Sequence, residues 1–350
     1  MIRFEPRPDV PAWLPFGARA LGLLAALLLA SAPLAFAGAP VLTAYRLVAE
    51  GAAGSVFALA ETLTRATPLL FTGLAATVAF RARLFNIGAE GQLYAGALAA
   101  VVVGAGAVQG PPALLVPLVL GAAALAGAAF MLGPTVLRAR FGVDEVVTTL
   151  LLNFVAVLFV QMMVEGPLKD PMGGGWPQSE PLLPEAMLPP LLDRMRLHWG
   201  FPLGLLACGL VHVLLARTAW GLQVRAVGGN APAAAYAGLP VARTLLAVGL
   251  LSGALAGLAG ASEVAGLKGN LTADLSRGFG YSGIVVAMAA GLQPLLVAPV
   301  AVLVAGVFVG ADTMGRTLGV PSYIADLTVA LALLCVLVGG WFVQYRPRLA

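Results

Sequence analysis

Seven stretches of this chain carry no Asp, Glu, Lys or Arg: 20–45, 91–137, 146–164, 197–216, 244–262, 278–311 and 327–345. A bilayer-crossing helix needs about 20 mainly apolar residues, because no water is present to satisfy the backbone of any open structure. Each of these runs reaches or approaches that length, and 91–137 and 278–311 have room for two spans apiece. Only 10% of the residues are charged, where a soluble domain of this size uses about a quarter to coat its surface. Mean hydropathy is +0.95. A soluble enzyme, a collagen-like chain and a disordered tail are excluded. The fold class is all-α: a polytopic membrane protein.

The pattern predicts about ten transmembrane helices: one in 20–45, then 55–80, 86–108, 113–137, 143–164, 200–216, 244–262, 280–292, 295–311 and 323–343. The segment 280–292 is short enough to be re-entrant. Ala35-Phe36-Ala37 imitates a signal-peptidase site, but the long charged lead and the many later spans favour a retained first helix. With the N-terminus and C-terminus both cytoplasmic, that face carries 12 Lys/Arg against 7 outside, with Arg65 in a span. Basic residues in short loops orient membrane proteins, so this arrangement is favoured. The basic pI of 9.4 then reflects orientation. No run of Lys/Arg with interleaved aromatics exists to bind nucleic acid. The whole chain, 1–350, reads as a single transmembrane domain with a cytoplasmic lead at 1–19 and a cytoplasmic loop at 217–243. The segment 165–199 is rich in Pro and Gly and is expected to drape over the outer surface.

Ionisable and amide side chains inside spans are costly and therefore informative. Glu61 and Arg65 lie one turn apart and either neutralise each other or meet a substrate, with Pro68 and Thr72 following on the same helix. The stretch 85–92, Phe-Asn-Ile-Gly-Ala-Glu-Gly-Gln, is the densest polar segment at membrane depth. Asn86, Glu90 and Tyr94 recur every four residues and are expected on one helix face. They either line a path, with Gln92, or form a buried packing motif. Glu145, Thr149 and Asn153 make a second i, i+4 stripe. Asp144 and Glu145 suit a helix N-terminus, whereas Asn153 lies deep enough to need an interhelical or substrate partner. Gly249, Gly253, Gly257 and Ala261 form a ridge of small residues suited to close helix packing.

Catalytic and metal-binding patterns are missing. The histidines are His198 and His212, so no HExxH exists, and neither Lys169 nor Lys268 completes a phosphate-binding loop. Cys208 and Cys335 sit inside apolar spans as small hydrophobes. No GxSxG elbow is present. The chain reads as a non-enzyme without a cofactor of its own, and ATP-driven work would require another subunit.

Arg217 to Arg243 bracket the most informative cytoplasmic piece. Asn230 is a good N-cap, Pro232 fits a first turn, Gly238 suits a helix stop and Pro240 prevents continuation. This predicts a two-turn helix, too short to stand alone. It either packs as an ordinary interfacial helix or docks into a groove on a partner protein.

The stretches 85–92, 143–153 (Val-Asp-Glu-Val-Val-Thr-Thr-Leu-Leu-Leu-Asn), 225–238 and 278–284 (Gly-Phe-Gly-Tyr-Ser-Gly-Ile) together resemble the permease subunits of bacterial ABC importers for nucleosides and simple sugars. That group is related to the ribose and branched-chain amino-acid permeases. The resemblance covers most of 65–310. It implies two permease chains, the second often a different paralogue, two cytoplasmic ATPase subunits that hold the ATP and Mg, and an external substrate-binding lipoprotein, all at the inner membrane. It further implies that the loop with Arg225, Gly229, Asn230, Ala234, Tyr236 and Gly238 is the ATPase-coupling segment. Asn86, Glu90, Gln92, Thr149 and Asn153 would then line the substrate path, with Tyr281 and Ser282 at its entrance. The alternative is an ion-coupled secondary transporter of a small polar solute, with Glu90 and Asp326 as proton-coupling groups.

Overall fold

The computed structural model describes residues 2–6 and 14–349. Part of the 1–19 lead, including Arg7, lies outside them. The chain divides into two compact units, Met1–Thr62 with Val302–Ala350, and Leu63–Ala301.

In the first unit a short strand β1 (Ile2–Pro6) pairs antiparallel with β2 (Tyr345–Leu349), Phe4 opposite Pro347. Helix α1 (Leu14–Phe36) lies along the terminal helix α13 (Ser322–Gln344). Helix α2 (Val41–Ala53) leaves α1 at a bend of 116°. The 20–45 run was expected to form one straight span. Gly38 instead takes the left-handed conformation (φ +72°) and Pro40 lacks the N–H needed to continue the helix. The Tyr45 hydroxyl donates to the Leu27 carbonyl and ties the two arms together. The Arg46–Glu50 pair on α2 is exposed, so solvent screens it and it adds little. Leu34, Ala44, Ala311, Met314 and Ile324 form the unit's apolar cluster.

Helix α3 (Val56–Arg81) starts on the Ser55 hydroxyl, which accepts from the Ala58 N–H at 3.0 Å, and runs largely buried into the second unit. Its Thr67 and Thr72 hydroxyls donate to carbonyls one turn back, which lets polar side chains sit inside an apolar bundle. The helix closes with Leu84 N–H on the Ala79 carbonyl and Arg83 N–H on Phe80, both 3.0 Å. Arg83 thereby takes φ +53°, a conformation that costs an ordinary L-residue roughly 1 kcal/mol.

The second unit continues with α4 (Ala89–Val102, extended by a π turn over Val103–Ala107), α5 (Pro112–Phe141), α6 (Glu145–Glu165) and α7 (Gly200–Arg217). The short α8 (Ala219–Gly229) and α9 (Ala231–Tyr236) follow. Then come α10 (Val241–Glu263, with a π turn over Val264–Lys268), α11 (Phe279–Ala289) and the start of α12 (Pro294–Leu318), whose residues from Val302 on belong to the first unit. Its core is the crossing of α10 with α4 and α5. A Cβ added at Gly257 would overlap the Ala123 carbonyl, one at Gly253 the Gly127 carbonyl, and one at Gly249 the Thr135 side chain. Ala261 is fully buried on the same helix. With no hydrophobic force between helices in lipid, backbone-to-backbone contact of this kind supplies the packing.

Among the described residues six helices are long and apolar enough to cross a membrane, or up to seven if the bent α1–α2 pair counts as one span. The protein is therefore multi-pass. The span expected at 86–108 is shorter, because residues 84–88 are not helical and α4 begins only at Ala89. The 280–292 segment is an eleven-residue helix.

Most of the 165–199 loop is exposed, and part of it is tucked into the protein. Leu182, Ala186, Leu188, Leu197 and His198 are buried. Ser179 N–H donates to the Leu271 carbonyl at 2.9 Å, Leu182 N–H to Gly269 and Leu188 N–H to Ala265, both at 2.8 Å, and Leu183 N–H to Gly104 at 2.9 Å. The π turns and the segment after α10 leave carbonyls that a helix would have satisfied, and this loop satisfies them instead.

Candidate functional site

The polar residues singled out in the sequence converge on the non-helical segment 84–88 and the start of α4. Asp144 caps α6 through the Val146 N–H at 2.8 Å. Glu145, Thr149 and Asn153 then face this stretch in turn. Phe85 N–H donates to Glu145 Oε1 at 3.1 Å, Ile87 N–H to Thr149 Oγ1 at 3.2 Å, and Gly91 N–H to Asn153 Oδ1 at 2.8 Å. The i, i+4, i+8 stripe on α6 thus serves two N–H groups of the non-helical segment, Phe85 and Ile87, and one in the first turn of α4, Gly91. Glu145 is also paired with Arg138 at 3.1 Å and is buried. It does more than suit its helix terminus, because it joins α5, α6 and the segment after α3.

Asn86 is not on the α4 face with Glu90 and Tyr94, since it precedes the helix. Its amide donates to Gln92 Oε1 and to Ser252 Oγ, both at 2.9 Å. Its Oδ1 accepts from Gly88 N–H and from Gln92 Nε2, also at 2.9 Å. Ser252 passes the chain on to the Ala75 carbonyl at 2.8 Å. Asn153 Nδ2 reaches the Ile87 carbonyl at 2.9 Å and the Tyr281 hydroxyl at 3.1 Å. Glu90, 6% exposed, accepts the Gly280 N–H on Oε2 at 2.7 Å and faces the Ser276 hydroxyl and the Gly278 N–H. It caps α11. Tyr94 donates to the Ala273 carbonyl at 2.7 Å. Asn86, Gln92, Thr149 and Asn153 thus bind residues 86–92 and their neighbours, Glu90 binds the start of α11, and these hydrogen bonds go to protein partners. Tyr281 keeps part of its ring exposed, and Ser282 is buried in the first turn of α11.

Glu263 escaped the sequence reading. It is 1% exposed, and its Oε2 has no hydrogen-bond partner among the described residues. Arg65 and Lys268 are its cationic neighbours. The Arg65 guanidinium also stands 5.7 Å from the centre of the Phe279 ring. The hydropathy run ends one residue earlier, at Ser262, so Glu263 looked like a loop residue. Its signal was a carboxylate directly continuing the small-residue ridge.

At the end of the second unit that holds α8 and α9, Gly228 lies so close to α3 that a Cβ would overlap the Arg81 carbonyl. Arg225 donates to the Leu215 carbonyl and braces α8 on α7. Gly229 has open space around it. Asn230 Oδ1 accepts the Ala233 N–H at 3.1 Å, and Gly238, at φ +81°, closes α9. Ala234 is buried beneath the helix, and Tyr236 is 98% exposed. A rigid two-turn helix thus carries a large aromatic side chain clear of the protein.

His198, beside the start of α7, is buried against Gly200 and Gly266, and its Nδ1 accepts the Gly200 N–H at 3.1 Å. Burial pushes its pKa down to about 4. The unfolded chain then binds more protons between pH 6.5 and 4. Stability is complete above about pH 6.5 and falls as pH drops through that window, by about 3 kcal/mol in full. His198→Asn, which keeps an acceptor for Gly200, should flatten this part of the melting-temperature profile. An unchanged acid profile would show that other groups control it.

Among the described residues no group of three or more His, Cys, Asp or Glu could hold a metal ion.

Residues 58–338 match the family described as branched-chain amino acid transport system / permease component. The chain is 35% identical to a glucose ABC transporter permease protein from Haloferax volcanii, over 100% of this chain and 94% of the relative. It is 36% identical to a guanosine ABC transporter permease protein from Bacillus subtilis, over 85% of this chain and 86% of the relative. It is 30% identical to a nucleoside ABC transporter permease protein from Lactococcus lactis, over 80% of this chain and 79% of the relative. No solved structure matches the chain.

Proposed function

We propose a role that proceeds from one fact: the chain belongs to the family of permease components of branched-chain amino acid transport systems. In this reading it is the transmembrane subunit of an ABC importer that moves nucleosides, or a related simple sugar, across a bacterial cytoplasmic membrane. The relatives named for guanosine, nucleosides and glucose support that substrate range. A partner ATPase hydrolyses ATP, a second permease chain completes the pore and an external lipoprotein delivers substrate. The whole chain acts as one permease with both termini cytoplasmic. The α1–α2 pair, α4, α11 and α13 join the six long helices as membrane segments, ten in all. Tyr281, part-exposed and held by Asn153, is the side chain of the network best placed to meet a solute.

The observation that carries the reading is α9. It is capped at both ends, seated through Ala234, and offers Tyr236 to whatever covers it. A rigid element with an exposed aromatic anchor suits transmission of movement from a docked subunit. The test is Tyr236→Asp, a change at a surface position that leaves the fold alone. Uptake of labelled guanosine or glucose should fall at least about tenfold, a loss of docking worth 1.4 kcal/mol or more, with unchanged membrane abundance. The ATPase should be lost on purification. Full uptake with a normal ATPase complement would overturn the coupling role. Uptake that survives deletion of the ATPase but collapses with the proton gradient would replace it with the ion-coupled alternative.

A further inference from the structure

Arg83 stands where the fold calls for glycine. Six other helix ends among the described residues close in the left-handed region with glycine, at Gly38, Gly142, Gly238, Gly269, Gly291 and Gly319. Besides Arg83, only Arg194 and Leu292, which follows Gly291, are left-handed non-glycines among the described residues. Glycine adopts this conformation freely, and an L-side chain does not. A side chain kept at such a position against the preference of its backbone points to a use for that side chain. Inside the protein none is found. The Arg83 guanidinium is exposed and makes no hydrogen bond or ion pair among the described residues.

It does line a cavity of about 370 Å³, open to the outside, whose floor is the α8–α9 junction at Gly229, Asn230 and Pro232. Arg138 lines the same cavity, fixed through its Nε to Glu145. The lining includes two arginines, one of them already paired with Glu145, and no acidic residue. Guanidinium forks match carboxylates in plane and spacing. Because the cavity borders the first turn of α9, a subunit that covers α9 covers it as well.

We infer that this cavity receives an aspartate or glutamate side chain from the surface of the partner ATPase, seated by Arg83 with Arg138 as α9 docks. The inference rests on the coupling role assigned to α9. Two contacts, an aromatic one at Tyr236 and an ionic one at Arg83, would fix the angle at which the ATPase meets the permease, where one contact leaves it free to rotate.

Arg83→Gly is the decisive variant, because glycine is the residue the turn prefers and the fold should be at least as stable as wild type. The assembled importer, in nanodiscs of phosphatidylcholine with and without phosphatidylglycerol, is titrated with its ATPase at several salt concentrations. Arg83→Gly should weaken ATPase binding about three- to tenfold and flatten its salt dependence, while the melting temperature stays level or rises. Arg83→Lys should fall between the two, keeping charge without the fork. Unchanged affinity and salt dependence in Arg83→Gly overturn the inference. Tyr236→Asp is run in parallel. If it displaces the ATPase and Arg83→Gly does not, α9 couples and the ionic seat is wrong; if neither does, both readings fall. An effect of Arg83→Gly seen only with phosphatidylglycerol would identify the occupant as a lipid phosphate and likewise overturn the inference.

Discussion

Gly257→Leu is expected to leave almost no folded protein. Three helices meet at this residue. A Cβ at Gly257 would overlap the Ala123 carbonyl of α5, and one at Gly96 of α4 would overlap the Gly257 carbonyl. The obstacle is backbone on both sides, so no rotamer change makes room. Leucine must separate α10 from α5 or α4, and Gly253 and Gly260 then lose their contacts with Gly127 and Leu93 as well. Overpacking usually costs 1–3 kcal/mol, and a clash against rigid backbone should reach about 4 kcal/mol or more. The measurement is the yield of monodisperse protein in detergent and its melting temperature. Gly133→Ala is the control, since nothing lies within 4 Å of that position on the outer side of α5. It should lose nothing. A Gly257→Leu protein as stable as wild type would mean that the three helices are not in backbone contact.

Glu90→Leu is expected to have the next largest effect. The carboxylate accepts the Gly280 N–H at the first turn of α11, and its negative charge sits at the positive end of that helix. Leucine leaves the Gly280 N–H and the Ser276 hydroxyl short of an acceptor in a buried site, whereas the Gly278 N–H keeps Ser276 Oγ at 3.2 Å. Unsatisfied buried donors cost about 1–3 kcal/mol each, so the loss should be about 3 kcal/mol, with faster amide exchange over 278–283. Glu90→Gln keeps one acceptor oxygen and should lose about 1 kcal/mol. The order wild type, Gln, Leu in melting temperature tests the capping role. Equal stability of all three would contradict it. Transport lost in Glu90→Gln with stability largely kept would add a solute contact to the structural one.

The helices were legible because the bilayer forces a local rule: a chain that crosses lipid must satisfy its backbone within each segment, so long charge-free runs can be read singly. The α9 helix was legible for a similar reason, since Asn230, Pro232 and Gly238 act within a few residues of themselves. The 20–45 run shows the limit of this reading. Gly38 and Pro40 were in plain view, but hydropathy averages across a bend. In 165–199 the prolines correctly argued against a long helix. They carried no information about burial, which depends on carbonyls freed by π turns about 80 residues away on either side.

The polar stripes illustrate the deeper limit. Glu145, Thr149 and Asn153 have the same spacing whether they face a solute or a neighbouring chain. Only the placement of residues 85–91 beside α6 assigns them partners. Glu263 and Arg83 were passed over for the same reason, because one ends a hydropathy window and the other looks like an ordinary positive-inside arginine.

By itself, then, the sequence determined that this is a predominantly helical, multi-pass membrane protein, where its small-residue ridge lies, and that a short capped helix follows Asn230. Each of these follows from interactions between residues near one another in the chain. The tertiary structure alone decided which intramembrane polar groups hold the protein together, which part of the outer loop is buried, and where two arginines share a cavity beside α9. Those outcomes depend on hydrogen bonds and contacts between segments far apart in the chain, whose register no local pattern encodes.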